Sequence, residues 1–319
     1  MNKILETTKF VVDNSQFVKI DKQRVVEFAD KLDYETIDHW LSKAPFDFNI
    51  LDTDRDKLHF LFILNSISFS YWGESKWTIE YKGEKYDGAM GMIAALGRAM
   101  DENIPILDFS YLADISKENL ENILRANTQI PLFEKRLEFL KENGRIIFEK
   151  FQGELENLIN KAESDAIRLL DIIINEFPSF RDSVIYKEKE IFFFKRAQLF
   201  VSDIYEMFNG MGFGELQGIE ELTACADYKL PQILSKLGIL IYDQGLAKRI
   251  DNKEEILHNS EEEIEIRANT IWAVEYIKET VQKRIPNIRS TEINDHLWLL
   301  SQNKMFNDKP YHRTRTNAY

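Results

Sequence analysis

Residues 55–71 read RDKLHFLFILNSISFSY, and this run determines how the rest of the chain is interpreted. Apolar side chains cover most faces of a helix drawn over these residues, which is typical of a helix buried on all sides. Polar residues such as His59, Asn65 and Ser66 interrupt the run, so it falls short of the roughly 18 apolar residues that cross a bilayer. The pattern therefore predicts a buried helix inside a water-soluble protein.

Helical patterns also dominate on both sides of this run. Long amphipathic helices are predicted over Phe133 to Phe151 and Glu154 to Phe177. Further helices are predicted over Gly88 to Met100, Lys195 to Phe208, Gly218 to Gly238 with a break near Asp227, Ser260 to Arg284, and Ser290 to Asn303. Alternating patterns predict small β-hairpins near residues 77–86 and 185–194. We therefore predict a mainly α protein, a helical array with one or two small hairpins.

Composition and charge exclude several classes of protein. The 319 residues carry a formal charge of −13. A protein that binds a nucleic acid duplex through its phosphates needs clustered Lys and Arg, so duplex binding is not expected. Cys225 is the only cysteine, so neither a disulfide framework nor a Cys-based zinc site is expected. The five histidines are scattered, and no metal or cofactor is predicted. The N-terminus lacks a signal-peptide core and no linker divides the chain, so one cytoplasmic domain over 1–319 is expected.

Six unusual segments occur in a characteristic order along the chain. They are Ser68-Phe69-Ser70-Tyr71-Trp72, Phe177-Pro178-Ser179-Phe180-Arg181-Asp182, Phe194-Lys195-Arg196-Ala197-Gln198, Ala226-Asp227-Tyr228-Lys229-Leu230-Pro231, Glu265-Ile266-Arg267, and Pro310-Tyr311-His312-Arg313-Thr314-Arg315. Together they resemble the queuosine salvage family over nearly the whole chain. That resemblance implies a mostly helical fold similar to helix-hairpin-helix DNA glycosylases. It also implies hydrolysis of the N-glycosidic bond of queuosine 5′-monophosphate, which releases queuine.

The resemblance makes Asp227 the expected catalytic carboxylate, because it matches the Ala-Asp-Tyr motif of the family. Cleavage of an N-glycosidic bond gives the ribose carbon a developing positive charge, which a carboxylate stabilises by attack or through its field. Spacing alone favours another interpretation, in which Asp227 is the N-cap of a following helix. One carboxylate can both cap a helix and take part in catalysis.

Four residues are expected to contact the base. Cys225 stands at a family position that is often aromatic, and a small buried cysteine is the other interpretation. Leu297-Trp298 matches a C-terminal family motif, Asp-x-x-Leu-Trp-Asp. Where the family has its first aspartate, this chain has Asn294, and Asp295 follows one place later. Where the family has its last aspartate, this chain has Leu299. Either Asp295 or the neutral amide of Asn294 then recognises the base. Trp298 is a stacking platform or a core residue.

Lys195 and Arg196 begin a predicted helix after an apolar strand. They either contact the phosphate or ribose of a substrate or form an ordinary charged pair.

A family histidine that contacts the base has no counterpart here, since neither His39 nor His59 matches its position. Oligomeric state leaves no signature in the sequence.

Two other functions stay open from the sequence. One is a glycosylase for another modified nucleoside or nucleotide. The other is a non-catalytic helical binding protein, in which Asp227 would only cap a helix.

Overall fold

The protein is mainly α-helical in a computed structural model that describes residues 2–33, 37–303 and 309–319. This confirms the predicted fold class, whereas the similarity to helix-hairpin-helix glycosylases stays a prediction. The α-helices of the described residues are α1 (Lys3–Asp13), α2 (Lys22–Lys31), α3 (Asp54–Ile67), α4 (Gly88–Asp101), α5 (Phe109–Ala113), α6 (Lys117–Ile123), α7 (Phe133–Phe151), α8 (Leu155–Asn160), α9 (Ala166–Glu176), α10 (Lys195–Met207), α11 (Lys229–Lys236), α12 (Gln244–Asp251), α13 (Glu261–Val281) and α14 (Ser290–Gln302).

Six short strands form three antiparallel pairs among the described residues. They are β1 (Val18–Ile20), β2 (Thr78–Tyr81), β3 (Glu84–Asp87), β4 (Ser183–Tyr186), β5 (Lys189–Phe192) and β6 (Leu240–Tyr242). The pairs β2–β3 and β4–β5 are the two predicted hairpins. The third pair joins β1 to β6, with Lys19 opposite Ile241. No local pattern predicts this pair, because its strands are far apart in the sequence.

Helix α3 is the predicted buried helix, and every residue from Leu58 to Ile67 is buried. The helix ends earlier than the apolar run does, because the chain becomes extended from Ser68 onwards. The buried carbonyls at this end need partners from elsewhere, since the last turn of a helix cannot satisfy them. Arg136 on α7 donates to the carbonyls of Ile67 and Phe69, and Arg196 on α10 donates to those of Asn65 and Ser66.

Two predicted helices differ from the structure. The helix over Glu154 to Phe177 is divided into α8 and α9, because Glu163 and Ser164 adopt left-handed backbone angles and Asp165 caps α9. The prediction of a helix over Gly218 to Gly238 is wrong for the first half of that range. There, a short 3-10 turn leads into an extended segment whose amides bond to side chains, and α11 begins only at Lys229.

Helix α10 starts at a buried charge pair. Asp182 accepts a hydrogen bond from the amide of Lys195 at 3.1 Å, and its two oxygens accept from the Arg267 guanidinium at 2.9 and 2.6 Å. Arg267 is 1% exposed and lies over the Phe193 ring. This pair therefore fixes the point where α10 begins.

No helix among the described residues has the length and apolar character needed to span a membrane.

We expect Asp182→Asn to lower the free energy of unfolding by about 3 kcal/mol or more, because it removes the carboxylate that accepts from both terminal nitrogens of the buried Arg267 cation. Denaturant unfolding followed by circular dichroism measures the change. The control is Glu138→Gln, which removes the exposed Lys135–Glu138 ion pair and should change stability by about 1 kcal/mol or less. Equal effects of the two substitutions would contradict a structural contribution from the buried pair.

Candidate active site

A cavity with aromatic walls contains nearly all the residues singled out in the sequence. It is lined by Asp227, Cys225, Asn294, Asp295, Trp298 and Lys195. Its aromatic residues are Trp40, Tyr71, Trp72, Trp77, Tyr228, Trp298, Tyr311 and Tyr319. The structure therefore brings the predicted residues together from three separate parts of the chain around one space.

Asp227 lies in this lining and also binds the amides that begin α11, although the N-cap residue itself is Tyr228. Its Oδ1 accepts hydrogen bonds from the amides of Lys229 at 2.7 Å and Leu230 at 3.0 Å. These are the first amides of α11, where the helix dipole stabilises negative charge. Its Oδ2 has no hydrogen-bond partner among the residues that the structure describes. One oxygen thus fixes the carboxylate, and the other is available to a ligand.

Cys225, Asn294 and Asp295 form a continuous chain of contacts. The amide of Cys225 donates to Asn294 Oδ1 at 2.9 Å, and Asn294 Nδ2 donates to Asp295 Oδ1 at 3.0 Å. Burial raises the pKa of the Cys225 thiol well above its usual range, so it stays protonated at neutral pH. The amide of Asn294 therefore holds both the Cys225 backbone and the Asp295 carboxylate.

Lys195 places a positive charge in the same cavity. The residue is 8% exposed, and its ε-ammonium group has no hydrogen-bond or ion-pair partner among the described residues. A largely buried lysine side chain that lines a cavity without an ion-pair partner favours a site where an anionic or polar ligand completes its contacts.

Two further lysines lie at the Tyr311 side of the cavity. Lys229 Nζ lies 5.5 Å from the centroid of the Tyr311 ring, and that ring packs 4.8 Å from Tyr228. Burial lowers the pKa of Lys229, and the nearby Asp227 opposes this shift. Lys76 also lines the cavity and pairs with Asp87 at 3.1 Å. The lining also contains the contact between Trp40 and Trp298, whose ring centroids are 5.6 Å apart.

Arg196 is absent from the cavity lining. Its guanidinium group is 2% exposed and donates to the carbonyls of Asn65, Ser66 and Ser179. Burial lowers the pKa of Arg196 to about 10, which still leaves it charged at neutral pH. Its donors are used within the protein, so the geometry supports a structural function rather than the predicted substrate contact.

Sequence reasoning missed a charged cluster behind Asp295. His39 Nε2 lies 3.4 Å from Asp203 Oδ1 and 3.5 Å from Asp295 Oδ2. Burial lowers the pKa of His39, but the two carboxylates more than offset this and raise it to about 9. Burial raises the pKa of Asp295 to about 6, and His39 opposes that shift. No spacing in the sequence indicates this cluster, because its members come from three distant segments.

One group of residues elsewhere has the geometry of metal ligands. Ligand atoms of His59, Glu154 and Glu156 lie within 4.8 Å of one another. Arg55 already pairs with Glu154 at 2.6 Å, and none of the three residues lines the aromatic cavity. The group therefore has no part in the candidate active site.

The fold and the cavity define a class: a helical protein with an aromatic-lined cavity of the kind that binds small molecules. The particular family follows from comparison with known proteins. Residues 48–319 match the model of the queuosine salvage protein family. The chain belongs to this family.

Proteins from distant organisms align with almost the entire chain. A relative from Sphaerobacter thermophilus is 37% identical over 99% of this chain and 97% of its own length. One from Mus musculus is 35% identical over 98% of both chains, and one from Schizosaccharomyces pombe is 31% identical over 95% of this chain and 92% of its own. Each is named queuosine 5′-phosphate N-glycosylase/hydrolase.

We expect Arg196→Met to lower the free energy of unfolding by about 3 kcal/mol or more, because it leaves three buried carbonyls without donors. Chemical denaturation provides the measurement. Arg168→Met is the matched control, since Arg168 lies on α9 with half its side chain exposed and pairs only with the exposed Glu163. A stable Arg196→Met protein would contradict the structural function.

Proposed function

We propose that this protein hydrolyses the N-glycosidic bond of queuosine 5′-monophosphate and releases queuine for reuse in tRNA modification. The observation that carries the proposal is the match over nearly the full chain to relatives named for this activity. The candidate site agrees with that chemistry, because Asp227 lies in an aromatic cavity of the kind that encloses a nucleotide.

Asp227 is the proposed catalytic carboxylate. As the C1′–N9 bond breaks, the ribose becomes oxocarbenium-like and the bonding electrons leave with the base. The Asp227 carboxylate stabilises this positive charge, and water supplies both the hydroxyl group that ends on C1′ and the proton that ends on the departing base. The two amides that bind Oδ1 fix the carboxylate before the substrate arrives, so little reorganisation is needed during the reaction.

The base is proposed to bind beside Asn294, Asp295 and Trp298. The guanine-like edge of queuine presents N–H donors, and a carboxylate that only accepts hydrogen bonds suits them. Because Asn294 uses its oxygen on Cys225 and its nitrogen on Asp295, the carboxylate of Asp295 is the better acceptor for the base. Trp298 offers an aromatic face beside it, and Cys225 offers a small apolar one.

Lysines are proposed to bind the 5′-phosphate. The ammonium group of Lys195 has no partner among the described residues, Lys229 adds positive charge along the same cavity, and Lys76 does so while paired with Asp87. An ammonium group binds phosphate oxygens through charge-assisted hydrogen bonds. A local group of cations therefore suffices for one phosphate even though the chain carries a charge of −13.

We expect Asp227→Asn to slow queuine release from queuosine 5′-monophosphate at least about 100-fold, because the amide lacks the charge that stabilises the ribose cation. Release of the free base is measured by chromatography with purified protein. Asparagine retains an oxygen that can cap α11, so the variant should keep its fold.

The matched control is Asp243→Asn. Asp243 lies outside the cavity lining and, like Asp227, accepts from the amides two and three residues further along at the start of a helix, although it uses both of its oxygens. Activity should stay at the level of the unaltered protein. Undiminished activity in Asp227→Asn would exclude a catalytic carboxylate at this position, and folded protein that releases no base would exclude the proposed reaction.

We expect Lys195→Met to lower kcat/KM for queuosine 5′-monophosphate about tenfold or more beyond its effect on queuosine, because only the nucleotide offers a phosphate to the ammonium group. Parallel assays with the two substrates measure the difference. Lys135→Met, at an exposed position on α7, is the control. An equal loss on both substrates would assign Lys195 to the ribose instead.

A further inference from the structure

A fully buried carboxylate lies behind the proposed base site. Asp203 on α10 is 0% exposed, and it accepts hydrogen bonds from Trp40 Nε1 and Asn65 Nδ2, both at 2.8 Å. Taking such a charge out of water is costly unless partners compensate it. Asp203 is not in the cavity lining, so its effect on a ligand has to pass through other residues.

His39 connects this carboxylate to Asp295. Its Nε2 lies 3.4 Å from Asp203 Oδ1 and 3.5 Å from Asp295 Oδ2. The imidazole does not line the aromatic cavity. It lies instead at an outer surface groove together with Glu206 and Met207. Asp295 is therefore contacted by His39 from behind and is open to the cavity in front.

The backbone of the same segment completes the arrangement. The amide of Trp40 donates to Asp295 Oδ2 at 3.4 Å, while the Trp40 indole donates to Asp203 and packs against Trp298. His39 and Trp40 thus link Asp203, Asp295 and Trp298, although only three of these five side chains line the cavity.

We propose that His39, held between Asp203 and Asp295, is a positioning residue that keeps the Asp295 carboxylate oriented and charged for contact with the base of the substrate. The inference rests on the proposed function, because it assumes that Asp295 meets the base. His39 itself does not touch the substrate.

The electrostatics of the cluster support this geometry. The titratable groups that act on Asp295 are His39 and Asp203, and the neutral thiol of Cys225 lies nearby. Glu206 also acts on His39 and is paired with Arg289 at 2.8 Å. The pKa of His39 is about 9 and that of Asp295 about 6. At neutral pH the imidazole is therefore a cation and Asp295 an anion.

Two substitutions should move the titration of Asp295 in opposite directions. The positive charge of His39 lowers the pKa of Asp295, so His39→Gln should raise it. The negative charge of Asp203 raises the same pKa, so Asp203→Asn should lower it. A variant that only loosens the structure has no reason to produce shifts of opposite sign.

The experiment measures kcat/KM for queuine release from mildly acidic to mildly alkaline pH. Its acid limb reports the ionisation of essential groups in the free enzyme. As pH falls through the pKa of Asp295, the carboxylate becomes protonated and base binding weakens. The limb should therefore move to higher pH in His39→Gln and to lower pH in Asp203→Asn. Titration of the substrate phosphate is common to all variants, so it cancels in these differences.

His296→Gln is the matched control. His296 follows Asp295 on α14, but its ring packs against Phe28 and burial alone lowers its pKa. The acid limb should stay in place in this variant. Thermal unfolding of each variant shows whether it is folded, and His39→Gln decides the question if Asp203→Asn does not fold.

Binding of free queuine, followed by tryptophan fluorescence over the same pH range, separates this inference from the proposed function. If the protein binds queuine without hydrolysing the nucleotide, the proposed reaction fails, and the pH dependence of binding still tests His39. If folded His39→Gln shows its acid limb at the same pH as the unaltered protein, in turnover and in queuine binding, the inference is overturned. Absence of both turnover and queuine binding in the unaltered protein would overturn both proposals.

Discussion

The structure depends on how the buried C-terminal end of α3 satisfies its carbonyl groups. A helix buried on all sides cannot rely on water for these groups, and an unpaired carbonyl at this depth costs about 1 to 3 kcal/mol. Arg136 and Arg196 supply the donors, at the helix end where the dipole favours cations. Because both arginines are needed there, their helices α7 and α10 are held against α3, and Arg196 is unavailable to a ligand.

This same helix end produces the wall of the cavity. Once α3 stops at Ile67, the chain continues as an extended segment, and Ser70 takes a left-handed conformation. The amide of Ser70 donates to the carbonyl of Tyr319 at 2.8 Å, and Arg315 lies over the Trp72 ring. The basic segment near the end of the chain is thereby docked against the segment that leaves α3. Tyr71 and Trp72 from one segment and Tyr319 from the other then line the same cavity.

Sequence patterns were most informative where structure is local. Residues Phe133–Phe151 form the predicted helix because its amphipathic period is uninterrupted, and both hairpins follow from alternation around short turns. The extended segment that carries Cys225 was predicted as helix. It is not helical, because its amides bond to Gln198 and Asn294 across the molecule, and no local pattern indicates those contacts. The family resemblance supplied the residues that face the cavity. It gave no indication of His39 and Asp203, whose importance arises from distances between remote segments.

Two of the carboxylates that line the cavity, Asp227 and Asp295, have different electrostatic surroundings, and this difference suits the separate tasks proposed for them. Asp227 is half-buried and is held by the amides that begin α11, so its charge is stabilised by a fixed backbone dipole. Asp295 is buried, and its charge depends on an imidazolium group that is itself shared with Asp203. A backbone dipole does not titrate, whereas a histidine pair does. In the proposals made above, recognition of the base is therefore the step in which a titrating histidine pair takes part.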